Sequence, residues 1–256
     1  MIKAAFFDVD GTLLSHKSKM VPQSARDAIA KLQSQGVQCV VATGRQITEM
    51  NKLPVADIPF DGYITLNGQL TLDKDKKMLY GTPIEGKAKD FLVKMFSGNR
   101  LPALLVEEEA VYLNFFDERV RIVQEAISSA VPPFGTYGGK DVYQVCAYMA
   151  PGDEKVLEEI TDECVMTRWA IGGMDIIAKG GGKVTGIGKY LERQGISVEE
   201  TIAFGDGEND IEMLEFAGIG VAMGNADEEV KAVADYVTTD IDDDGIANAL
   251  KHFELI

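Results

Sequence analysis

Residues 4–12 of the chain read AAFFDVDGT, in which four apolar residues typical of a buried strand are followed by a segment with two acids. Asp8 and Asp10 stand two apart at the end of this predicted strand, so the strand period would place them on one side. Two unpaired carboxylates in one crevice repel each other. A hard divalent cation relieves that repulsion, because Mg²⁺ prefers oxygen ligands. For this motif alone, an acidic loop with capping roles is the alternative.

Further short apolar runs end in polar or glycine residues, which is the pattern of buried parallel strands. These runs are residues 37–42, 63–66, 201–204, 219–223 and 236–239. Helical patterns lie between them at residues 22–35, 210–217 and 228–234. The alternation predicts an α/β fold whose core is a doubly wound, Rossmann-like parallel sheet. Ligands bind such sheets at the carboxyl ends of the strands, so Asp8, Thr43, Asn67 and Asp206 are expected along one edge.

The middle of the chain has a different rhythm. It contains helical patterns at residues 85–96, 118–130 and 153–161, and strand patterns at residues 103–106, 111–115, 143–149, 165–169 and 174–178. The first two strand patterns are too close in sequence for a helical crossover and predict a hairpin. We interpret residues 82–180 as an inserted α+β cap domain, joined through turn-rich segments to a core made of residues 1–81 and 181–256.

Composition and charge exclude several classes of protein. Forty-one acids against 25 bases give a formal net charge of −16, which would repel nucleic acid and anionic membrane surfaces. No apolar run approaches the roughly 20 residues of a membrane helix. We therefore expect neither nucleic acid nor a membrane as partner. We also expect the protein to be a monomer or a weak homo-oligomer.

The cysteines and histidines narrow the choice further. Cys39, Cys146 and Cys164 are scattered and form no CxxC pair, which fits a reducing cytoplasm better than a disulfide framework or a thiolate metal site. With only His16 and His252 in the chain, a histidine-centred triad or a multi-histidine zinc site is nearly excluded.

Three further motifs stand near other predicted strand ends. Thr43, Gly44 and Arg45 offer a hydroxyl and main-chain N–H groups for a phosphate oxygen, although a simple helix N-cap is the alternative. Lys183 follows a run of glycines, and its positively charged ammonium group would bind the same phosphate or restrain Asp8. Considered alone, it would be a surface lysine. The segment GDGEND at residues 205–210 carries acids four apart that would add oxygen ligands to the cation, unless it is a solvated loop.

Together these motifs carry a family resemblance. The order is DVDGTLL at residues 8–14, VVATGR at 40–45, Lys183, FGDGENDIEML at 204–214 and GVAMGNA at 220–226. The chain resembles the haloacid dehalogenase superfamily, and most closely its Cof-type sugar-phosphatase-like branch. The resemblance implies a large α/β cap between the Thr43 and Lys183 motifs. It also implies a Mg²⁺-dependent phosphatase that hydrolyses small phosphorylated metabolites, such as sugar phosphates, through an aspartyl phosphate.

The same resemblance implies roles for individual residues. Asp8 would attack phosphorus, and Asp10 would protonate the leaving alcohol and then activate water. The implied metal site consists of four aspartates: Asp8, Asp10 through its main-chain carbonyl, Asp206, and Asp210, which would support the metal or the lysine. The implied phosphate or substrate ligands are Thr43, Gly44, Arg45, Lys183 and Asn209, with Arg45 facing the cap.

Two alternatives remain open from the sequence. A phosphomutase or phosphotransferase would share Asp8 and Asp10 but pass the phosphoryl group to a sugar hydroxyl. A non-catalytic phospho-acceptor or phosphometabolite sensor would also use an acidic crevice, a threonine and a lysine, as signalling receiver domains do. Receiver domains are much shorter and lack both the inserted domain and the DxDGT motif.

Overall fold

A computed structural model describes residues 1–126 and 130–256 of the chain. Its contacts divide the chain into two compact units. Unit 1 comprises Met1–Tyr80 with Gly182–Ile256, and unit 2 comprises Gly81–Gly181. The bounds expected from the sequence, after residues 81 and 180, differ from these by one residue each.

The strands and helices of the described residues follow in chain order. The strands are β1 (Ala4–Phe7), β2 (Gln38–Ala42), β3 (Gly62–Thr65), β4 (Leu70–Asp73), β5 (Met78–Gly81), β6 (Ala103–Val106), β7 (Val111–Leu113), β8 (Gln144–Tyr148), β9 (Cys164–Ala170), β10 (Gly173–Ala178), β11 (Thr201–Gly205), β12 (Ile219–Ala222) and β13 (Tyr236–Val237). The α-helices are α1 (Gln23–Ser34), α2 (Ile47–Met50), α3 (Gly86–Ser97), α4 (Glu118–Ala126), α5 (Lys183–Gln194), α6 (Ile211–Phe216), α7 (Glu228–Val233) and α8 (Gly245–His252). Short 3-10 segments lie at Pro54–Asp57, Leu66–Gly68, Asp153–Ile160, Val198–Glu200, Glu208–Asp210 and Ile241–Asp243.

The first sheet has the strand order β13-β12-β11-β1-β2-β3-β4-β5. The pairs from β13 to β3 are all parallel, whereas β3 and β4 are antiparallel. The α/β class and the parallel core predicted from the sequence are thus confirmed. Strands β4 and β5 at one edge were not predicted, because a three-residue turn at Leu66–Gly68 reverses the chain without the long crossover that a parallel neighbour needs.

Strand β1 lies in the middle of this sheet, which explains its uniformly apolar sequence. All four of its residues are buried, and it pairs with β11 on one side and β2 on the other. The rings of Phe7 and Phe204 stack with their centroids 5.1 Å apart across β1 and β11. Helix α1 buries one stripe of apolar residues, Ala25, Ala28, Ile29 and Leu32. This central position places the residue after β1 among the ends of parallel strands.

Unit 2 contains a five-stranded sheet in the order β7-β6-β8-β10-β9. The pairs are antiparallel, and β6 with β7 forms the predicted hairpin. The helix predicted at residues 153–161 is a 3-10 segment rather than an α-helix. Its buried residues Leu157 and Ile160 are three apart, which matches the period of a 3-10 helix. Of the helix predicted at residues 118–130, the part at 127–129 lies outside the described residues.

In the described part of the chain, no helix combines the length and the apolar character needed to cross a lipid bilayer.

Candidate active site

Three aspartates meet at the carboxyl edge of the first sheet. Asp8 follows β1, and Asp206 follows β11, which is the parallel neighbour of β1. Asp210 ends the 3-10 segment that comes next. One carboxylate oxygen from each residue lies within 4.8 Å of the other two. Residues about two hundred positions apart in sequence are therefore brought together here.

Lys183 lies among these carboxylates. It is the first residue of α5 and is only 3% exposed. Its Nζ donates to Asp8 Oδ1 at 2.7 Å and to Asp210 Oδ1 at 2.6 Å. Burial acts to lower the pKa of Lys183, but the charges of Asp210 and Asp8 outweigh it and raise the pKa. The lysine is a fixed ammonium group beside Asp8.

Asp210 acts as an organiser of the loop that follows β11. Its Oδ2 accepts from the main-chain N–H of Asp206 at 3.0 Å and of Gly207 at 2.9 Å, while Oδ1 accepts from Lys183. Both oxygens of this fully buried residue are thus engaged. Asp206 is partly exposed and Asp8 bonds to Lys183 through Oδ1, so these two residues are better placed than the fully buried Asp210 to give oxygens to a cation.

Asp206 is oriented by two residues that were not among the predicted site residues. Thr12 Oγ1 donates to Asp206 Oδ1 at 2.7 Å. Asn225 Nδ2 donates to the main-chain oxygen of Gly11 at 2.9 Å and approaches Asp206 Oδ2 at 3.3 Å. Both residues stand in motifs that were noticed, DVDGTLL and GVAMGNA, so their position in a motif was the available signal.

A cation would fit the electrostatics of this cluster. Burial raises the pKa of Asp8 well above its usual value, and the charge of Asp210 raises it further. Burial also raises the pKa of Asp206 to about 7, although the hydrogen bond from Thr12 opposes the shift. Three carboxylates and one ammonium carry a formal charge of −2 when all are ionised. A divalent cation would cancel that charge, and the oxygen ligands suit a hard ion.

Gly11 permits the close approach of Asp206. Its φ is +87°, a conformation that side-chain-bearing residues rarely adopt. A Cβ at this position would stand 2.0 Å from Asp206 Oδ2, far inside contact distance. The glycine of the DVDGT motif is therefore required by the carboxylate on the neighbouring strand.

Asp10 lies outside the three-aspartate cluster and has a different partner. Arg45 Nε donates to Asp10 Oδ2 at 2.6 Å, and Arg45 Nη2 donates to Asp10 Oδ1 at 2.8 Å. The Asp10 side chain is 34% exposed, and the Arg45 side chain is 36% exposed. The structure thus pairs two predicted site residues in a bidentate contact that fixes the plane of the Asp10 carboxylate.

The remaining predicted phosphate ligands lie at the end of β2 and beyond β11. Thr43 is buried, and its Oγ1 accepts from the Arg45 N–H at 3.2 Å. The alternative of a helix N-cap is wrong for Thr43, because the N-cap of α2 is Gln46. A Cβ on Gly44 would lie 3.0 Å from Asn67 Oδ1. Asn209 Nδ2 donates to the same Asn67 oxygen at 3.1 Å. Asn67 thus lies between two predicted ligands.

Comparison with known proteins identifies the group to which the chain is similar. A family model described as haloacid dehalogenase-like hydrolase matches residues 5–250. The chain is 32% identical over 260 residues to the pyridoxal phosphate phosphatase YbhA of Escherichia coli (strain K12), and the match covers 94% of each protein.

Solved structures give the same result for the fold. The phosphatase BT1666 of Bacteroides thetaiotaomicron has a TM-score of 0.91 and 34% identity, with 100% of this chain and 96% of that chain covered. The sugar phosphatase BT4131, described as a member of subclass IIB of the superfamily, has a TM-score of 0.84 and 35% identity, covering 99% of this chain and 100% of that one.

The contact between Gly11 and Asp206 yields a first prediction. Gly11→Ala and Gly36→Ala both force alanine into a left-handed conformation, at φ values of +87° and +85°, but only position 36 has open space for the methyl group. Both variants should lose at least about 1 kcal/mol of unfolding free energy, measured by denaturant titration. Only Gly11→Ala should also weaken divalent-cation binding in calorimetry. Equal cation affinity in the two variants would contradict the role of Gly11.

The surplus charge of the cluster yields a second prediction. In the presence of a chelator at mildly alkaline pH, Asp206→Asn should raise the melting temperature, because it removes a charge that is disfavoured first by burial and then by repulsion from Asp210. The gain should be about 1 kcal/mol or more. Added divalent cation should stabilise the wild type but not this variant. Asp57→Asn, at an exposed aspartate, is the matched control. A lower melting temperature for metal-free Asp206→Asn would refute the charge argument.

Proposed function

Because the chain belongs to the haloacid dehalogenase-like hydrolase family, we propose that it is a Mg²⁺-dependent phosphatase that acts on small phosphorylated metabolites through Asp8. Its phosphatase relatives make it a phosphoric monoester hydrolase. The observation that carries the residue assignment is the position of Asp8, held at 2.7 Å by a buried lysine and next to Asp206 at the sheet edge.

In the first step, a carboxylate oxygen of Asp8 attacks phosphorus. An oxygen–phosphorus bond forms to Asp8, the bond between phosphorus and the ester oxygen breaks, and Asp10 gives a proton to the leaving alcohol. Lys183 holds Asp8 in place and offers positive charge to the transferring group, whose equatorial oxygens carry spread negative charge. Thr43, Gly44 and Asn209 are assigned to the same oxygens.

In the second step, Asp10 accepts a proton from water, which attacks phosphorus and releases phosphate with free Asp8. The bidentate contact with Arg45 fixes the plane of the Asp10 carboxylate and occupies both of its oxygens. Proton transfer in either step needs one of those oxygens free, so we assign Arg45 a second partner, the phosphate of the substrate. Binding of substrate would then draw Arg45 away from Asp10.

The cation is assigned to Asp8, Asp206 and the main-chain carbonyl of Asp10, with Asp210 holding the lysine and the loop. When bound there, Mg²⁺ would neutralise the surplus charge and polarise the phosphoryl oxygens. An all-oxygen ligand set favours Mg²⁺ over softer metals.

The substrate class and the setting complete the proposal. Sugar phosphates or similar phosphomonoesters are favoured because one relative is named a sugar phosphatase and another a pyridoxal phosphate phosphatase. Unit 2 is assigned the role of a cap that selects the leaving group. The three cysteines are free and buried, in keeping with a cytoplasmic location. The net charge of −16 argues against nucleic acid as a partner. A monomer or weak homo-oligomer stays part of the proposal.

The nucleophile assignment leads to a third prediction. Asp8→Asn should reduce phosphate release from any active substrate to background, because a neutral amide cannot form the aspartyl phosphate. The protein should stay folded, as judged by circular dichroism and thermal unfolding. Acid-quenched wild type should carry one labile phosphoryl group, and the variant none. Turnover near the wild-type rate would overturn the assignment.

The choice of reaction is tested with a panel of sugar phosphates, nucleotides and phosphorylated cofactors, each with and without Mg²⁺. A phosphatase releases one inorganic phosphate per substrate consumed. Phosphate transfer to a sugar hydroxyl without free phosphate would indicate a phosphotransferase instead. A phosphoryl group that stays on Asp8 through many assay cycles would indicate a sensor.

A further inference from the structure

The turn between β3 and β4 contacts each of the loops assigned to the phosphate. Leu66 N–H donates to the main-chain oxygen of Arg45 at 3.2 Å, and Asn67 N–H donates to that of Thr43 at 3.0 Å. These two bonds attach the turn to the loop after β2. The turn is therefore built into the site although no role was assigned to it.

The same turn lies directly against the residue that precedes Lys183. A Cβ on Gly68 would stand 1.9 Å from the main-chain oxygen of Gly182 and 2.8 Å from the nitrogen of Lys183. Only a glycine allows the turn to approach the start of α5 so closely. The turn thus touches both the threonine loop and the lysine.

The backbone of the turn is unusual. Leu66, Asn67 and Gly68 have consecutive positive φ values of 53°, 52° and 86°. Asparagine and glycine tolerate this region better than other residues, whereas leucine rarely adopts it. Strained conformations of this kind persist where the surroundings enforce them, and they cluster at ligand-binding sites. The Asn67 side chain lies beside Gly44 and Asn209.

The side-chain amide of Asn67 is hydrogen-bonded through its oxygen. Its Oδ1 accepts from Asn209 Nδ2 at 3.1 Å. Its Nδ2 lies 3.2 Å from the point where a Gly44 Cβ would stand, and it donates no hydrogen bond within residues 1–126 and 130–256. The side chain is partly exposed. A neutral N–H₂ donor is thus offered beside Gly44 with its orientation set by Asn209.

We propose that Asn67 is a phosphate-binding residue that donates from Nδ2 to an oxygen of the substrate phosphoryl group, with Asn209 orienting its amide. This inference rests on the proposed function, which assigns Gly44 and Asn209 to the phosphate. The chemistry fits because phosphate oxygens only accept hydrogen bonds and the site already carries an excess of carboxylates. A neutral donor would strengthen phosphate binding without adding another charged group to the site.

The test uses two variants with opposite side-chain chemistry. Asn67→Gly keeps the left-handed backbone and removes the amide. Asn67→Asp keeps the shape and an acceptor for Asn209 but turns an oxygen toward the phosphate in place of the donor. Asn99→Gly is the matched control, because Asn99 is an exposed asparagine with a φ of 49° in unit 2.

The readouts are KM and kcat for p-nitrophenyl phosphate, the inhibition constant of inorganic phosphate, phosphate binding by calorimetry and the melting temperature. Asn67→Gly should raise both KM and the phosphate inhibition constant by roughly tenfold, because a hydrogen bond to a charged group is lost equally from the bound and transition states. Its kcat should stay within about threefold. Asn67→Asp should weaken phosphate binding more, through like-charge repulsion. Asn99→Gly should match the wild type.

Two outcomes would overturn the inference. One is a phosphate inhibition constant for Asn67→Gly within about twofold of the wild type, even if Asn67→Asp weakens binding, since repulsion alone would then explain the effect. If Asn67→Gly does not fold, the second outcome decides instead: a phosphate affinity of Asn67→Asp equal to that of the wild type. Failure of the proposed function would look different, because the wild type itself would then release no phosphate from any ester.

Discussion

The site depends on one buried ion pair network, in which Lys183 is held between Asp8 and Asp210. Charges removed from water are tolerated only when they are paired and hydrogen-bonded, and here every charged partner comes from a different part of the chain. The network joins the end of β1, the loop after β11 and the start of α5. Correct placement of any one of these elements therefore constrains the other two, and Asp8, the proposed nucleophile, is held by the same contacts that hold the sheet edge together.

That network is not neutral by itself, and its imbalance explains much of the local architecture. Asp206 adds a third carboxylate within 4.8 Å of the other two, although burial already disfavours its charge. Thr12, Asn225 and the absence of a side chain at Gly11 hold it there. An arrangement that raises the free energy of the metal-free protein, yet is secured by specific contacts, is expected where a cation supplies the missing charge.

The sequence was most informative where burial alone determines structure. Strand β1 could be predicted to the residue because a central parallel strand is apolar on both faces. The segment Asp153–Ile160 was predicted to be helical, but its 3-10 type was not, since a short amphipathic pattern does not distinguish a period of 3.0 from one of 3.6. The edge strands β4 and β5 were missed because their position depends on the strained turn at Leu66–Gly68. The pairing of Asp10 with Arg45 also depends on three-dimensional geometry, which no spacing in the sequence encodes.

The Asp10–Arg45 contact bears on the proposed use of Asp10 as both acid and base. Four aspartates and two cations give the site a formal charge of −2, which a divalent ion brings to zero. A phosphate monoester dianion would return the sum to −2 and would compete for the partly exposed Arg45, the less buried of the two protein cations. The Asp10 oxygens, no longer both bonded to Arg45, would then be free to give a proton to the leaving alcohol and to take one from water. The charge of the substrate would thus open the contact that closes Asp10 in the free protein.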